Sequence, residues 1–266
     1  MQTGVFYIDT FTSTKFTGNP TAICLVKNKM ADETMLSIAH EFNLPVTGFI
    51  QKETSHYSTR YFTPLTEIPA CGHATLAAAA VVFGEEGTSI VQFKTGTQLL
   101  IKAGLSGDTV TMSYPRYSLQ SCVPSEEILK SLGLIAYRSA GLCRQLETLF
   151  IELDDPALLR KLTPDYEALT KGDDFIKEVV ITSFSDDAKY DFLLRSFCPW
   201  IGIDEDPVTG SVHSALTPFW SEKLNKTTMT AFQASARGGE VFVKTLEHHV
   251  ELGGKCVIIL KGILTS

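Results

Sequence analysis

The stretch from residue 70 to residue 84, ACGHATLAAAAVVFG, limits most strongly what this chain can fold into. Between Ala74 and Phe83 it contains one hydroxyl group and no charge, and alanine, its commonest residue, has the highest helix propensity. A helix that is apolar on every face has to be buried. We therefore predict a central helix over residues 73–83, ended by Gly84 and surrounded by strands.

The start of this helix is polar. Cys71, Gly72 and His73 lie where the free N–H groups of the first turn point, and these groups favour an anion, as does the helix dipole. The dipole disfavours a nearby cation, so we expect His73 to be neutral and able to accept or donate one proton. The alternative is a histidine that only caps or packs the helix.

The composition argues against several classes of protein. The net charge of −7 is unfavourable for binding nucleic acid, and the chain has no apolar run of the roughly 18–20 residues that span a membrane. The first residues lack the basic region and apolar core of a signal peptide. The six scattered cysteines form no CxxC pair, which favours neither a zinc site nor a disulfide framework. We expect a cytoplasmic protein without metal or cofactor.

The two halves of the chain show the same order of predicted elements. Each half has strands, then Phe-x-Pro, then a loop, and then a glycine followed by a polar residue at the start of a buried helix. The second such helix is predicted over residues 211–224, with a kink at Pro218. Alternation and turn residues predict the flanking strands, among them 57–62, 178–184 and 228–233.

This repetition predicts two similar domains, residues 1–115 and 116–266, with the last residues packing back on the first domain. Two such domains that face each other would bring both helix starts to a shared cleft. We therefore predict that an anion binds between Gly72-His73 and Gly210-Ser211.

Several ordered blocks of sequence resemble the PhzF-like family, which is named for phenazine biosynthesis. They are FTGNPTA at 16–22, RYFTP at 60–64, CGHAT at 71–75, EDPVTGS at 205–211 and FQAS at 232–235. The resemblance implies the diaminopimelate epimerase fold. This is an α+β fold of two similar domains, each a barrel-like, mostly antiparallel sheet wrapped around a central helix.

The resemblance also implies an isomerase that moves a proton on a small carboxylated substrate without a cofactor. His73, Asp206 and Ser211 match catalytic positions of the family, and substrate contacts are assigned to Asn19, Gly72, Thr209 and Gly210. Taken alone, Asp206 before proline is equally a turn or N-cap residue. Ser211 is equally an N-cap, and Asn19 a turn residue. We further predict a small carboxylated metabolite as ligand and a homodimer.

One position departs from the family pattern. The glutamate that the family uses as its main acid and base falls at Val46 in this chain. A valine cannot transfer a proton, and general acid–base catalysis typically contributes about 100- to 10,000-fold to a rate. Two hypotheses follow: an isomerase that relies on His73 and Asp206, or a catalytically silent member that binds a small carboxylate or a protein partner. Glu41 and Glu67 are the carboxylates considered as replacements.

Cys71 raises a third hypothesis, an epimerase with one thiol at each helix start. The second helix start offers Asp206 and Ser211 and no cysteine, which weakens this hypothesis. We interpret Cys71 as a helix-start residue that is sensitive to oxidation.

Overall fold

The computed structural model describes residues 3–265, and the chain divides into two compact units. One unit contains the chain up to Ser113 and again from Gly253, and the other is Tyr114–Leu252. No helix among residues 3–265 is long and apolar enough to cross a membrane.

The helices and strands follow each other with short connections. The first elements are β1 (Thr3–Thr10), β2 (Asn19–Val26), α1 (Asp32–Phe42), β3 (Val46–Lys52), β4 (Tyr57–Phe62), β5 (Glu67–Ile68), α2 (Gly72–Glu86), β6 (Ile90–Thr95), β7 (Leu100–Ser106) and β8 (Thr109–Pro115). The next are β9 (Gln120–Ser121), α3 (Glu126–Ser131), β10 (Ser139–Cys143), β11 (Thr148–Glu152), α4 (Pro156–Lys161), α5 (Tyr166–Leu169), β12 (Glu178–Phe184) and β13 (Phe192–Cys198). A 3-10 turn at Pro199–Ile201 precedes β14 (Ile203–Glu205), α6 (His213–Leu224), β15 (Thr228–Gln233), β16 (Gly239–Thr245), β17 (His249–Gly254) and β18 (Cys256–Leu264).

The first unit is a mostly antiparallel sheet around α2. Its strands pair in the order β18, β1, β2, β3, β4, β6, β7, β8, with only β2–β3 and β4–β6 parallel. The helices α1 and α2 make the two crossovers that parallel neighbours require. Since α2 contacts β1, β2, β3, β6, β7 and β18, it is the central helix that its alanine run predicts. Ala74, Ala77 and Ala78 have no exposed surface.

The end of α2 differs from the prediction. Gly84 does not stop the helix, which continues to Glu86 and ends at Gly87 with a left-handed φ of 68°. The N–H of Gly87 donates to the carbonyl of Phe83, the arrangement that favours glycine after a helix. The earlier glycine is a helix residue on an open side, where an added Cβ would meet nothing within 4 Å. The sequence analysis named Gly84 alone, and the left-handed φ of Gly87 identifies the later glycine as the end of the helix.

The second unit repeats the arrangement around α6. Its strand pairs β10–β11, β12–β13 and β15–β16 are antiparallel, while β11–β12 and β13–β15 are parallel. The α6 side chain of Trp220 stacks on Phe192 with 5.4 Å between ring centroids, and its indole N–H donates to the hydroxyl of Thr182 at 2.9 Å. The helix begins at His213, two residues later than predicted, because Ser211 and Val212 form a preceding turn. Pro218 lies within α6, and the kink there stays a prediction.

Gly18 and Gly84 give a matched test of backbone constraints in the first unit. Gly18 has a φ of 71°, and an added Cβ would lie 2.1 Å from the carbonyl oxygen of Thr10. We expect Gly18→Ala to lower the free energy of unfolding by about 2 kcal/mol or more. Gly84→Ala, at a helical position with open space, should raise it by up to about 1 kcal/mol. Urea denaturation of both variants measures this, and equal effects would contradict it.

Candidate active site

Three side chains meet at the start of α2, and we call them the His73 cluster: Asn19, Cys71 and His73. The amide nitrogen Nδ2 of Asn19 lies 3.3 Å from Nδ1 of His73. The thiol sulfur of Cys71 lies 3.4 Å from the same Nδ1 and 3.8 Å from Nε2. Cys71 is the extended N-cap residue of α2, and His73 lies in the first turn. The structure therefore places an imidazole, a thiol and an amide together.

The imidazole of His73 is neutral at pH 7. Only 8% of the residue is exposed, and this burial lowers the pKa of His73 from 6.5 to about 4. With the amide nitrogen of Asn19 as the donor, Nδ1 accepts and the single ring proton is assigned to Nε2. Neutrality was expected from the helix dipole, whereas the main cause in the structure is desolvation. The ring can therefore donate a proton from Nε2.

Asn19 is held by the loop that joins β1 to β2. The hydroxyl of Thr10 donates to the carbonyl of Asn19 at 3.0 Å, and the N–H of Phe16 donates to the carboxylate of Asp9 at 2.7 Å. The close approach of Gly18 to the Thr10 carbonyl completes this tight turn. Asn19 is the first residue of β2 and is completely buried, so it is more than a surface turn residue.

Glu41 and Glu67, the possible replacements for the family glutamate at position 46, lie elsewhere in the first unit. Val46 begins β3, is 4% exposed, and accepts a hydrogen bond at its carbonyl from the hydroxyl of Thr21. Both carboxylate oxygens of Glu67 bind the guanidinium of Arg60, at 2.7 and 2.6 Å. Glu41 lies on the exposed side of α1. The structure shows neither glutamate in the His73 cluster.

In the second unit, residues 206–212 connect β14 to α6, and we call residues 206–210 of this connection the Asp206 turn. The hydroxyl of Thr209 donates to Oδ2 of Asp206 at 2.6 Å. The side chain of Gln233 accepts from the N–H of Thr209 at 2.8 Å and donates to the carbonyl of Asp206 at 2.7 Å. Asp206 and Thr209, both predicted site residues, therefore lie in direct contact.

Gly210 and Ser211 lead directly into α6. Gly210 is buried and its carbonyl accepts from the N–H of His213 at 3.2 Å, whereas Ser211 is exposed. The N-cap residue of α6 is Val212, in a helical conformation and without a side-chain cap. The reading of Ser211 as an N-cap is therefore wrong, because the chain already turns helically one residue after it.

Sequence reasoning missed His213, the first residue of α6. Its side chain is completely buried 5.9 Å from the ring of Phe192, and burial lowers its pKa from 6.5 to about 3. Among residues 3–265, neither ring nitrogen has a hydrogen-bond partner, and the same holds for the hydroxyl of Thr217 one turn later. The signal was a histidine at the start of each buried helix, after Gly72 and shortly after Gly210.

His213 should make the protein acid-sensitive. A histidine whose pKa is lowered by folding takes up fewer protons in the native state, so its contribution to stability is lost as pH falls from 6.5 towards 3. Between pH 7 and pH 5 we expect a loss of about 2 kcal/mol from His213. His213→Leu should remove this loss, because leucine takes up no proton, and it leaves no buried nitrogen without a hydrogen-bond partner.

Urea unfolding at pH 7 and pH 5 measures the difference. His248→Leu is the matched control, since the side chain of His248 is 84% exposed. A His213→Leu variant that loses as much stability on acidification as the wild type would contradict this account.

The described part of the chain contains no group of three or more His, Cys, Asp or Glu side chains placed to hold a metal ion. The two sets of residues offer an imidazole, a thiol, a carboxylate and hydroxyl groups.

Two units, each a mostly antiparallel sheet around a buried helix, define the α+β class of the epimerase-like fold, as predicted. The chain belongs to the phenazine biosynthesis-like PhzC-PhzF family, whose model matches residues 8–262. The family resemblance drawn from the sequence blocks is thus confirmed.

Individual relatives match over essentially the whole chain. An "uncharacterized isomerase" from Halalkalibacterium halodurans is 36% identical over 99% of both chains. The mouse phenazine biosynthesis-like domain-containing protein 1 is 35% identical, with both chains fully covered. The crystal structure of a PhzF-family phenazine biosynthesis protein from Enterococcus faecalis superposes with a TM-score of 0.93 at 33% identity and complete coverage of both chains.

Proposed function

We propose that this protein is an isomerase that moves a proton on a small carboxylated substrate without a cofactor. His73 and Asp206 transfer the proton, Ser211 assists, and Asn19, Gly72, Thr209 and Gly210 contact the substrate. One observation carries the proposal: a buried, neutral imidazole with its Nδ1 bound to Asn19 stands at the start of a 15-residue helix. The isomerase name of the Halalkalibacterium halodurans relative supports the reaction class.

The helix starts suit the carboxylate of such a substrate. The first N–H groups of a helix have no partner within the helix, and they bind an anion together with the positive end of the dipole. The first turn of α2 contains no acidic side chain that would compete for these groups. Gly72 leaves the backbone there accessible because it has no side chain.

The proposed proton transfer uses a donor and an acceptor of different kinds. The Nε2–H of His73 donates, and the carboxylate of Asp206 accepts, with the Thr209 hydroxyl fixing one of its oxygens. Asp206 takes a proton from one carbon of the substrate and His73 gives its Nε2 proton to another carbon, which shifts the double bond. Asp206 then releases its proton to water and His73 takes one up from water, so both groups end the turnover with the protons they began with. No oxidant, metal or cofactor enters this balance.

The alternative remains a silent family member that binds a carboxylate or a protein partner, and Val46 favours it because the family glutamate is absent. Conversion of a dihydro-hydroxyanthranilate, followed by proton NMR in water, separates the two. The isomerase shifts the olefinic signals of the substrate at substoichiometric protein concentration. Broadening of the ligand signals without conversion would instead support the silent binder. The predicted homodimer is a separate proposal, tested by sedimentation velocity.

A further inference from the structure

Gln233 binds the Asp206 turn from inside the second unit. It is the last residue of β15, and its side chain has no exposed surface. It forms three hydrogen bonds to residues 24 and 27 positions away: with the N–H of Thr209 at 2.8 Å, the carbonyl of Asp206 at 2.7 Å and the hydroxyl oxygen of Thr209 at 3.3 Å. A buried amide with this many partners is held in a single orientation.

The hydrogen-bond partners determine the orientation of the Gln233 side-chain amide. A backbone N–H can only donate and a backbone carbonyl can only accept, so Oε1 of Gln233 faces Thr209 and Nε2 faces Asp206. The third bond must then be donated by Nε2 to the hydroxyl oxygen of Thr209.

This donation sets the direction of the Thr209 hydroxyl. Since its oxygen accepts from Gln233, the proton of the hydroxyl points to Oδ2 of Asp206, at an oxygen–oxygen distance of 2.6 Å. An ordered sequence of donors therefore runs from Gln233 through Thr209 to the carboxylate of Asp206.

We propose that Gln233 is a positioning residue that acts through Thr209 to hold the carboxylate of Asp206 in one orientation for proton transfer. The catalytic part of this inference rests on the proposed function, whereas the positioning part does not. Hydrogen bonds donated to a carboxylate favour its ionised form over its protonated form.

The backbone of the turn has other anchors. The hydroxyl of Ser235 donates to the carbonyl of Pro207 at 2.6 Å, and the N–H of Asp206 donates to the carbonyl of Ser196 at 3.1 Å. These bonds keep the turn in place when Gln233 is replaced. The specific contribution of Gln233 is thus the direction of the Thr209 hydroxyl, which a merely structural anchor would not affect.

The test follows the Asp206 carboxylate directly. In protein labelled with 13C at Asp Cγ, the Asp206 signal is titrated in the wild type, Gln233→Met, Thr209→Val and Thr209→Ser. We expect the midpoint to move to higher pH by roughly one unit in Gln233→Met and Thr209→Val, because each loses the fixed donor to Oδ2. Thr209→Ser keeps a hydroxyl and should restore the wild-type midpoint.

Gln92→Met on the exposed side of β6 is the matched control and should leave the Asp206 titration unchanged. If Gln233→Met does not fold, Gln233→Asn replaces it, since its shorter side chain cannot reach both Thr209 and Asp206. An Asp206 midpoint that moves in Thr209→Val but not in the Gln233 variant would overturn the inference.

Turnover supplies the catalytic readout. In the variant at position 233 we expect kcat to fall about 10- to 100-fold with little change in KM, because a misplaced group affects the transition state more than binding. The acid limb of the pH profile should move to higher pH together with the NMR midpoint.

A wild type without any turnover would refute the proposed function while the NMR result still decides the positioning role. A rise in KM with unchanged kcat would contradict the catalytic part of the inference.

Discussion

His73→Ala is expected to reduce deuterium wash-in to a phenazine-type substrate by about 100- to 10,000-fold, the range of general acid–base catalysis. The variant removes the only imidazole in the His73 cluster, and alanine offers no proton at the position of Nε2. Proton NMR in D2O measures the rate at which substrate protons are lost. We expect binding to weaken much less, because the N–H groups of the α2 start remain.

His40→Ala is the matched control for this variant, since His40 lies on the exposed side of α1 and should leave the rate unchanged. Urea denaturation of His73→Ala shows whether the fold is retained. Exchange that survives at the wild-type rate in folded His73→Ala would remove His73 from the mechanism.

Val46→Glu is expected to raise the same exchange rate, by up to about 100- to 10,000-fold, because it restores an acid–base group where the family has one. The price is stability: Val46 is 4% exposed, and burying a carboxyl group favours its neutral form and costs free energy. We therefore expect higher turnover together with a lower free energy of unfolding.

Val46→Gln separates the two effects. Glutamine has the same size and similar polarity as glutamate but cannot transfer a proton, so it should destabilise without raising the rate. Equal rates in the glutamate and glutamine variants would show that position 46 takes no part in proton transfer.

The central helices could be predicted because burial leaves a strong signal in sequence. An uncharged, alanine-rich run has no stable place at a surface, and α2 is indeed surrounded by strands. The strands β4, β12 and β15 begin and end at the predicted residues. In β4, buried and half-buried residues alternate from Tyr57 to Tyr61, which is the period-2 pattern of a half-buried strand.

The details that sequence could not provide depend on tertiary contacts. Gly84 and Gly87 are both plausible helix ends, and only the left-handed φ of the second identifies it. Gln233 has an ordinary place in a strand sequence, and its importance appears only with its three bonds to residues distant in the chain. Apart from the position of His213 shortly after Gly210, nothing in the sequence indicates that this histidine is completely buried.

The candidate site was predicted more from resemblance than from residue chemistry. Spacing alone predicted that Asp206 and Asn19 are turn residues. The structure shows in addition that the hydroxyl of Thr209 donates to Asp206 and that the amide of Asn19 lies beside the ring of His73. The thiol of Cys71 beside His73 was expected only as a helix-start residue, and its distance to Nδ1 follows from side-chain conformations that sequence does not specify.

Deuterium wash-in by the wild-type protein is the most direct measurement of proton transfer by His73 and Asp206. A dihydro-hydroxyanthranilate is incubated in D2O with the wild type, and with His73→Ala and Asp206→Asn in parallel, and each carbon is followed by NMR. We predict that the wild type introduces deuterium at the carbon that receives the proton as the double bond moves, and that both variants introduce almost none. Binding of the substrate by the wild type without any deuterium incorporation would contradict the account.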